Sequence, residues 1–429
     1  MVGKGVMIAA AGVLGLGAPA VAQPAAADAS PHAVRAHCRR VGPATARCRR
    51  AVTVSARYVS ETAYNPVGGA RSLVREASQL AAGATVDMER LAGVRGGIVK
   101  TTLTWRRGRS LGVAADLGLL QQVQEIYGRG NVVRLTQAWW EQKLGDGVAV
   151  KLGRSYPGED FAVFSCDFMN LAFCAASPGA LAGDYWHNWP IGQWGTRLRV
   201  AAGKGGYVAA GAYEINPRNL DTDFTLAHLH GATGVLVPVE LGAVRGGDGE
   251  RLATYKAGGW YATGDSDDVL LDGDRRARAL TGAPPLRRHG HHGVYVSLQQ
   301  QVSGTAADGK VVSGLSLFFK VTEIDRATAR KSSQVALGAF YDAPLPGRLG
   351  DAIGVAVART GVNQRLALDE SRRTAMPPRD AEYSGELFYN AHFARWLDLR
   401  PNLQWIHRPG GVRSAGDIGV VGLKAAMAF

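Results

Sequence analysis

From residue 51 onward, apolar side chains recur at every second position, segment after segment. In "GVYVSLQQQV", Val294, Val296 and Leu298 face one way, and Tyr295, Ser297 and Gln299 the other. In "GLSLFFKVTE", Leu315, Leu317, Phe319 and Val321 oppose Ser316, Phe318, Lys320 and Thr322. "SQVALGAFYD" and "LDLRPNLQWI" repeat the pattern, Leu337 and Tyr341 opposing Gln334 and Phe340, and Leu403 and Trp405 opposing Asn402 and Gln404. A period of two belongs to a strand with one apolar face, and helical periodicity is rare in this chain.

The connections alternate as well. Short Gly-rich links lie at 145–147, 203–206, 245–250, 306–309 and 343–348, and longer irregular ones at 107–130, 157–193, 217–231, 263–291 and 362–379. Counting hairpins this way gives roughly sixteen strands, with short links on one side and long links on the other. That parity predicts an all-β fold: a transmembrane antiparallel up-and-down barrel over 51–429, with short periplasmic turns and long extracellular loops. "LGVAADLGLL" (111–120) breaks the parity if counted as a strand and is placed in a loop. Pro238, inside "VLVPVELGAV", predicts a bulge, because a barrel strand has no free edge. A β-sandwich with this many strands needs two domains and a linker, and no linker is visible. A solenoid needs a fixed repeat, and the hairpins share none.

Both termini agree with a barrel. The chain ends "VVGLKAAMAF", with Val421, Leu423, Ala425, Met427 and Phe429 on one face and Lys424 on the other. Such a strand can pair with the first and close the barrel, and Phe429 is the expected signal to the barrel-assembly machinery. The start, "MVGKGVMIAAAGVLGLGAPAVAQ", has one early lysine, an apolar stretch and an Ala20-Val21-Ala22 cleavage site. It reads as a signal peptide, residues 1–22, rather than a membrane anchor, leaving 23–50 as a periplasmic segment.

Composition narrows function. The formal net charge is +13. A basic exported chain can meet acidic glycans, lipopolysaccharide or a channel's anions. Nucleic acid is excluded by the lack of a basic helix, aromatic RNA-binding motif or Cys/His finger. Four cysteines form two close pairs, Cys38 with Cys48 and Cys166 with Cys174. In an oxidising compartment these read as disulfides; they lack CxxC spacing and histidines beside them, so no metal site is expected.

Several stretches go beyond the pattern: "YNPVGGA" (64–70), "LGRSYPGEDFA" (152–162), "WPIGQWGTRLRV" (189–200), "YVAAGAYEINPRN" (207–219) and "GELFYNAHFARWLDLRPNLQWIHRPGG" (385–411). From about residue 58 to the end the sequence resembles the carbohydrate-selective porins of the OprB family. The resemblance implies a sixteen-stranded barrel, monomeric or homotrimeric, that passes glucose and other sugars across the bacterial outer membrane. The start departs from the family pattern, with "CRRVGPATARCRR" (38–50) where a Trp- and Gly-containing lead-in is usual.

A pore for a neutral polyhydroxylated ligand needs a narrow waist, hydrogen-bonding side chains and aromatic faces. In "GQWGTRLRV", Trp194, Leu198 and Val200 set the lipid face and turn Arg197 and Arg199 inward. In the partner "YVAAGAYEIN", Tyr207, Tyr213 and Ile215 read as lipid-facing and Glu214 as inward, near the diagonal of Arg197. Lys151 points inward by the same register. The link 157–193 is the expected constriction, stiffened by Cys166–Cys174. It offers Asp167, Asn170, Trp186, His187, Asn188 and Trp189 to a sugar, though Trp186 and Trp189 also suit an interfacial girdle. His289, His291 and His292 read as solvated loop histidines. Arg275, Arg276, Arg278, Arg287 and Arg288 suit lipopolysaccharide phosphates. No G-x-S-x-G is present, and His228 and His230 have no evident Ser partner, which speaks against a barrel enzyme. A general or anion-preferring porin remains the nearest alternative. No cofactor is expected.

Overall fold

The computed structural model describes residues 51–224, 229–247 and 249–429. The expected leader, the segment 23–50 with Cys38 and Cys48, and His228 lie outside the described residues. The strands are β1 (Val52–Val67), β2 (Val74–Asp87), β3 (Gly97–Gly108), β4 (Val132–Leu144), β5 (Val148–Ser155) and β6 (Gln193–Ala201). Then come β7 (Gly206–Ile215), β8 (Gly234–Arg245), β9 (Ala253–Asp272), β10 (Pro285–Gln301), β11 (Ala306–Ala307) and β12 (Lys310–Val311). The last six are β13 (Gly314–Ile324), β14 (Lys331–Asp342), β15 (Ala352–Val362), β16 (Ala381–Ala394), β17 (Leu397–His407) and β18 (Ile418–Ala428).

All but β11 and β12, which form a two-stranded ribbon, join in one closed antiparallel barrel of sixteen strands in chain order. Closure is made by β1 on β18: Phe429 N–H donates to the Ala56 carbonyl at 2.8 Å, and Ala56 N–H to that of Phe429 at 3.1 Å. Each strand therefore satisfies its backbone on both sides, the condition for crossing a membrane as sheet. Leu317, Leu337, Leu403 and Val421 are exposed on the outside; Lys320, Gln334, Asn402 and Lys424 are buried inside.

Two local expectations need correction. Pro238 makes no bulge: β7 and β8 keep one register from Ala210–Val239 to Tyr213–Leu236, and Pro238 sits opposite Trp260 on β9. The ladder simply does without its missing N–H. The stretch 263–291 is mostly strand, because β9 and β10 continue to Asp272 and from Pro285, so only 273–284 is link. Arg–Asp pairs across the extended ribbon hold it, Arg287 to Asp267 at 2.7 Å and Arg288 to Asp268 at 2.8 Å.

Candidate functional site

The link 156–192, between β5 and β6, lies inside the barrel. A segment without a sheet of its own must find partners for its backbone groups once buried. Here the wall supplies them. Glu386 on β16 accepts from Met169 N–H at 2.8 Å and Asn170 N–H at 2.7 Å. Glu240 on β8 accepts from Ala162 N–H at 2.7 Å and from the Tyr207 and Tyr295 hydroxyls at 2.6 and 2.7 Å. Lysines bind the carbonyls: Lys424 donates to Cys166 at 3.1 Å and Phe168 at 3.3 Å, Lys320 to Phe173 at 3.2 Å, and Lys331 to Ala180. Bonds with one charged partner are about twice as strong as neutral ones. Apolar contacts finish the seat. Trp186 packs on Trp260 and Tyr295, and Phe168 on Phe318, Phe340 and Phe388. Cys166 and Cys174 are disulfide-bonded at its middle.

A second link, 109–131, also turns inward, which the sequence reading did not foresee. Glu382 accepts from Leu120 and Gln121 N–H at 2.7 and 3.0 Å. Glu61 accepts from Ile126 N–H at 3.2 Å and pairs with Lys424 at 3.1 Å. Leu111, Leu117 and Val123 bury themselves against Ile406, Ile418 and Val420. The signal was present: 111–126 is rich in apolar residues with no lipid to meet, and Ile406, Ile418 and Val420 occupy the wet face of their strands.

Beside these links stands a charged brace. Glu141, Lys151 and Arg197 are direct cross-strand neighbours on β4, β5 and β6. Asp160, at the end of the short helix Pro157–Asp160, meets Lys151 at 2.5 Å and Arg197 at 3.3 Å, and accepts from the Tyr213 hydroxyl at 2.8 Å. Arg197 also binds Glu141. Burial alone would push the Asp160 carboxyl up, but Lys151 and Arg197 outweigh it and hold it below the usual carboxylate range. Arg197 and Lys151 thus face inward as their register predicts, but their donors are engaged by protein. Arg199, one pleat further on, is half-buried and lies flat on the Tyr207 ring at 3.5 Å. It has no ion-pair partner among the described residues.

The register read for β7 is inverted. Tyr207, Tyr213 and Ile215 are buried inside, and Val208 is exposed outside. Both faces of this strand are apolar enough to pass for the lipid side, and the buried tyrosine hydroxyls decide the matter by reaching Glu240 and Asp160. Glu214 therefore shares a face with Trp194, whose N–H it accepts at 3.3 Å, and sits 3.8 Å from Arg154 near the rim, away from Arg197.

The other expected residues separate. Asn170 and Trp186 are fully buried, Asn170 bonding Gln404 at 3.0 Å, so both hold the link. His187 is buried too; burial and the nearby Arg129 push its pKa down to about 3, leaving it neutral. Asp167 pairs with Arg400 at 3.4 Å. Trp189 remains half-buried, edge-on to Tyr156 at 5.7 Å, and its indole N–H donates to Gln79 at 2.7 Å, beside Arg106. His289 pairs with Asp265, and His291 bonds Thr328 and stacks on Tyr185. Among the described residues one group of His, Cys, Asp and Glu is close enough for a metal, Glu125 with Cys166 and Cys174, and its sulfurs are spent in the disulfide. Of the arginines expected to meet lipopolysaccharide, Arg276, Arg287 and Arg288 are paired with aspartates.

The sequence profile of the carbohydrate-selective porins, OprB family, matches residues 72–429. Porin B of Pseudomonas aeruginosa is 39% identical over 394 residues, which cover 87% of this chain and 86% of the relative. Putative porin QuiX of Acinetobacter baylyi is 32% identical over 410 residues, covering 87% and 88%. The high-pH structure of OprB from Pseudomonas putida, 35% identical, covers 88% of this chain and 94% of its own with a TM-score of 0.83.

Proposed function

Because the chain belongs to the OprB family of carbohydrate-selective porins, we propose that this outer-membrane sugar porin selects its cargo beside the link 156–192, with Arg199 and Trp189 as the contact groups. The supporting observation is the hydrogen bonding of that link to carboxylates and lysines of the inner wall, an arrangement suited to a narrow waist. Arg199 offers unspent donors backed by an aromatic ring, and Trp189 a partly open indole face. Sugar hydroxyls and sugar C–H faces call for these two kinds of partner. Lys151, Arg197 and Asp160 act as positioning residues, and Asn170, Trp186 and Asp167 seat the link.

Planar-bilayer recordings with glucose and a small anion test this. Arg199→Ala and Trp189→Ala should each weaken the block of ion current by glucose several-fold while single-channel conductance holds or rises. Unchanged block in both variants sinks the assignment. Block by small anions rather than glucose would favour an anion-preferring porin.

The barrel closes within one chain, so a single copy encloses its own lumen. Phe429, exposed beside β1, is the proposed signal to the barrel-assembly machinery; Phe429→Ala should lower the amount reaching the outer membrane, and normal abundance would place the signal elsewhere.

A further inference from the structure

On the outer wall, two adjoining hollows of about 530 and 310 Å³ run along β1, β2 and β3 from the long-link end. They share Glu76, Trp105 and Arg107. Val74, Glu76, Trp105 and Arg107 are exposed, whereas Ala77 and Arg106, the next residues along, are buried toward the lumen. The hollows therefore open toward the membrane.

Their origin is local. The β2–β3 ladder stops at Ala77–Gly108, where Gly108 has a φ of 126° that L side chains rarely adopt. Gly108 N–H is taken by Asn131 at 2.8 Å, and the chain leaves the sheet. Val74 and Arg75 then have no β3 neighbour, which leaves a notch lined by Arg75, Glu76, Arg107, Arg109 and Asn131. Below it, the small pair Ser60–Ser78 leaves a trough above the row Tyr58–Leu80–Trp105. Ser60 donates to Glu76 at 2.8 Å and fixes its carboxylate.

We propose that this groove binds a phosphorylated glycolipid of the outer leaflet, lipopolysaccharide, with the phosphate in the notch and an acyl chain along the trough. Charge complementarity supports that occupant, with the exposed guanidinium groups of Arg107 and Arg109 against one carboxylate. Among the described residues Arg107 and Arg109 have no ion-pair partner. Arginine forks fit phosphate oxygens two at a time, and Glu76 is placed to accept a sugar hydroxyl. Trp105 and Tyr58 belong at a membrane interface. The arginines on the β9–β10 ribbon differ in having aspartate partners.

The test is native mass spectrometry of the purified protein in detergent, titrated with deep-rough lipopolysaccharide. Arg107→Gln with Arg109→Gln should weaken binding about tenfold or more, the loss expected for charge-assisted hydrogen bonds. Dephosphorylated lipid should lose as much on the parent protein. Arg287→Gln with Arg288→Gln should leave affinity within about twofold, and unchanged conductance in both double variants confirms folding. Equal binding by the Arg107/Arg109 variant, equal binding of dephosphorylated lipid, or displacement by millimolar inorganic phosphate overturns the assignment.

Discussion

The link 156–192 and the ribbon end of β9–β10 are both excursions from the same barrel, one largely apolar and one charged, and they meet opposite fates. The link is drawn inside and held by Glu240, Glu386, Lys320 and Lys424, which come from strands distant in sequence. The ribbon end pairs its own backbone across the two strands; Arg287 meets Asp267 directly opposite, Arg288 reaches Asp268 two residues from its register partner Ser266, and Arg365 of the helix Gln364–Thr374 adds a second pair to Asp268 at 2.7 Å. A buried irregular segment depends on wall charges; a hairpin with a continuous ladder depends on them less. Charge deletions should therefore act very differently in the two places.

The largest effect is expected at Glu386. Glu386→Leu leaves the buried Met169 and Asn170 amides without acceptors, a loss of about 3 kcal/mol or more for two bonds to a charged group. Single-channel conductance should rise and the size limit for sugars should widen as the link loosens. Parent-like conductance would show that the aromatic seat around Phe168 suffices.

Asp160 comes next, and its effect depends on pH. Its folded pKa lies below the ordinary carboxylate value, so the stability it contributes is complete above about pH 4 and is lost as pH falls through the lowered value. Conductance recorded from pH 6 to pH 3 should become noisier at the acid end in the parent. Asp160→Asn should behave at pH 6 as the parent does in acid. If the variant instead keeps the parent's quiet conductance at pH 6, the brace does not hold the link.

The smallest effect belongs to the ribbon. Arg287→Gln removes a pair whose side chains are 63% and 53% exposed, and should shift thermal stability by less than about 1 kcal/mol without touching glucose block. A conductance change of the Glu386 size would erase the distinction between the two regions.

Much of this molecule is legible one strand at a time. Alternation gives the strands, link parity gives an up-and-down barrel, and the apolar C-terminal strand gives the closing seam, because each depends on residues a few positions apart. The inward aim of Lys151, Arg197 and Arg199 follows from the same local rule. Three matters escaped it. On β7 both faces are apolar, so only Glu240 and Asp160, waiting inside for tyrosine hydroxyls, settle the register. Trp186 and Trp189 lie three residues apart in one link, yet one is sealed between Trp260 and Tyr295 and the other stays half-open beside Gln79. The link 109–131 reads as an outer loop until Glu61, Glu382 and the inward face of β17 and β18 give its backbone and leucines a place to bury. A two-residue period is local and survives in the sequence. Which face meets the lumen, and which loop fills it, depends on partners that only barrel closure brings within hydrogen-bonding distance.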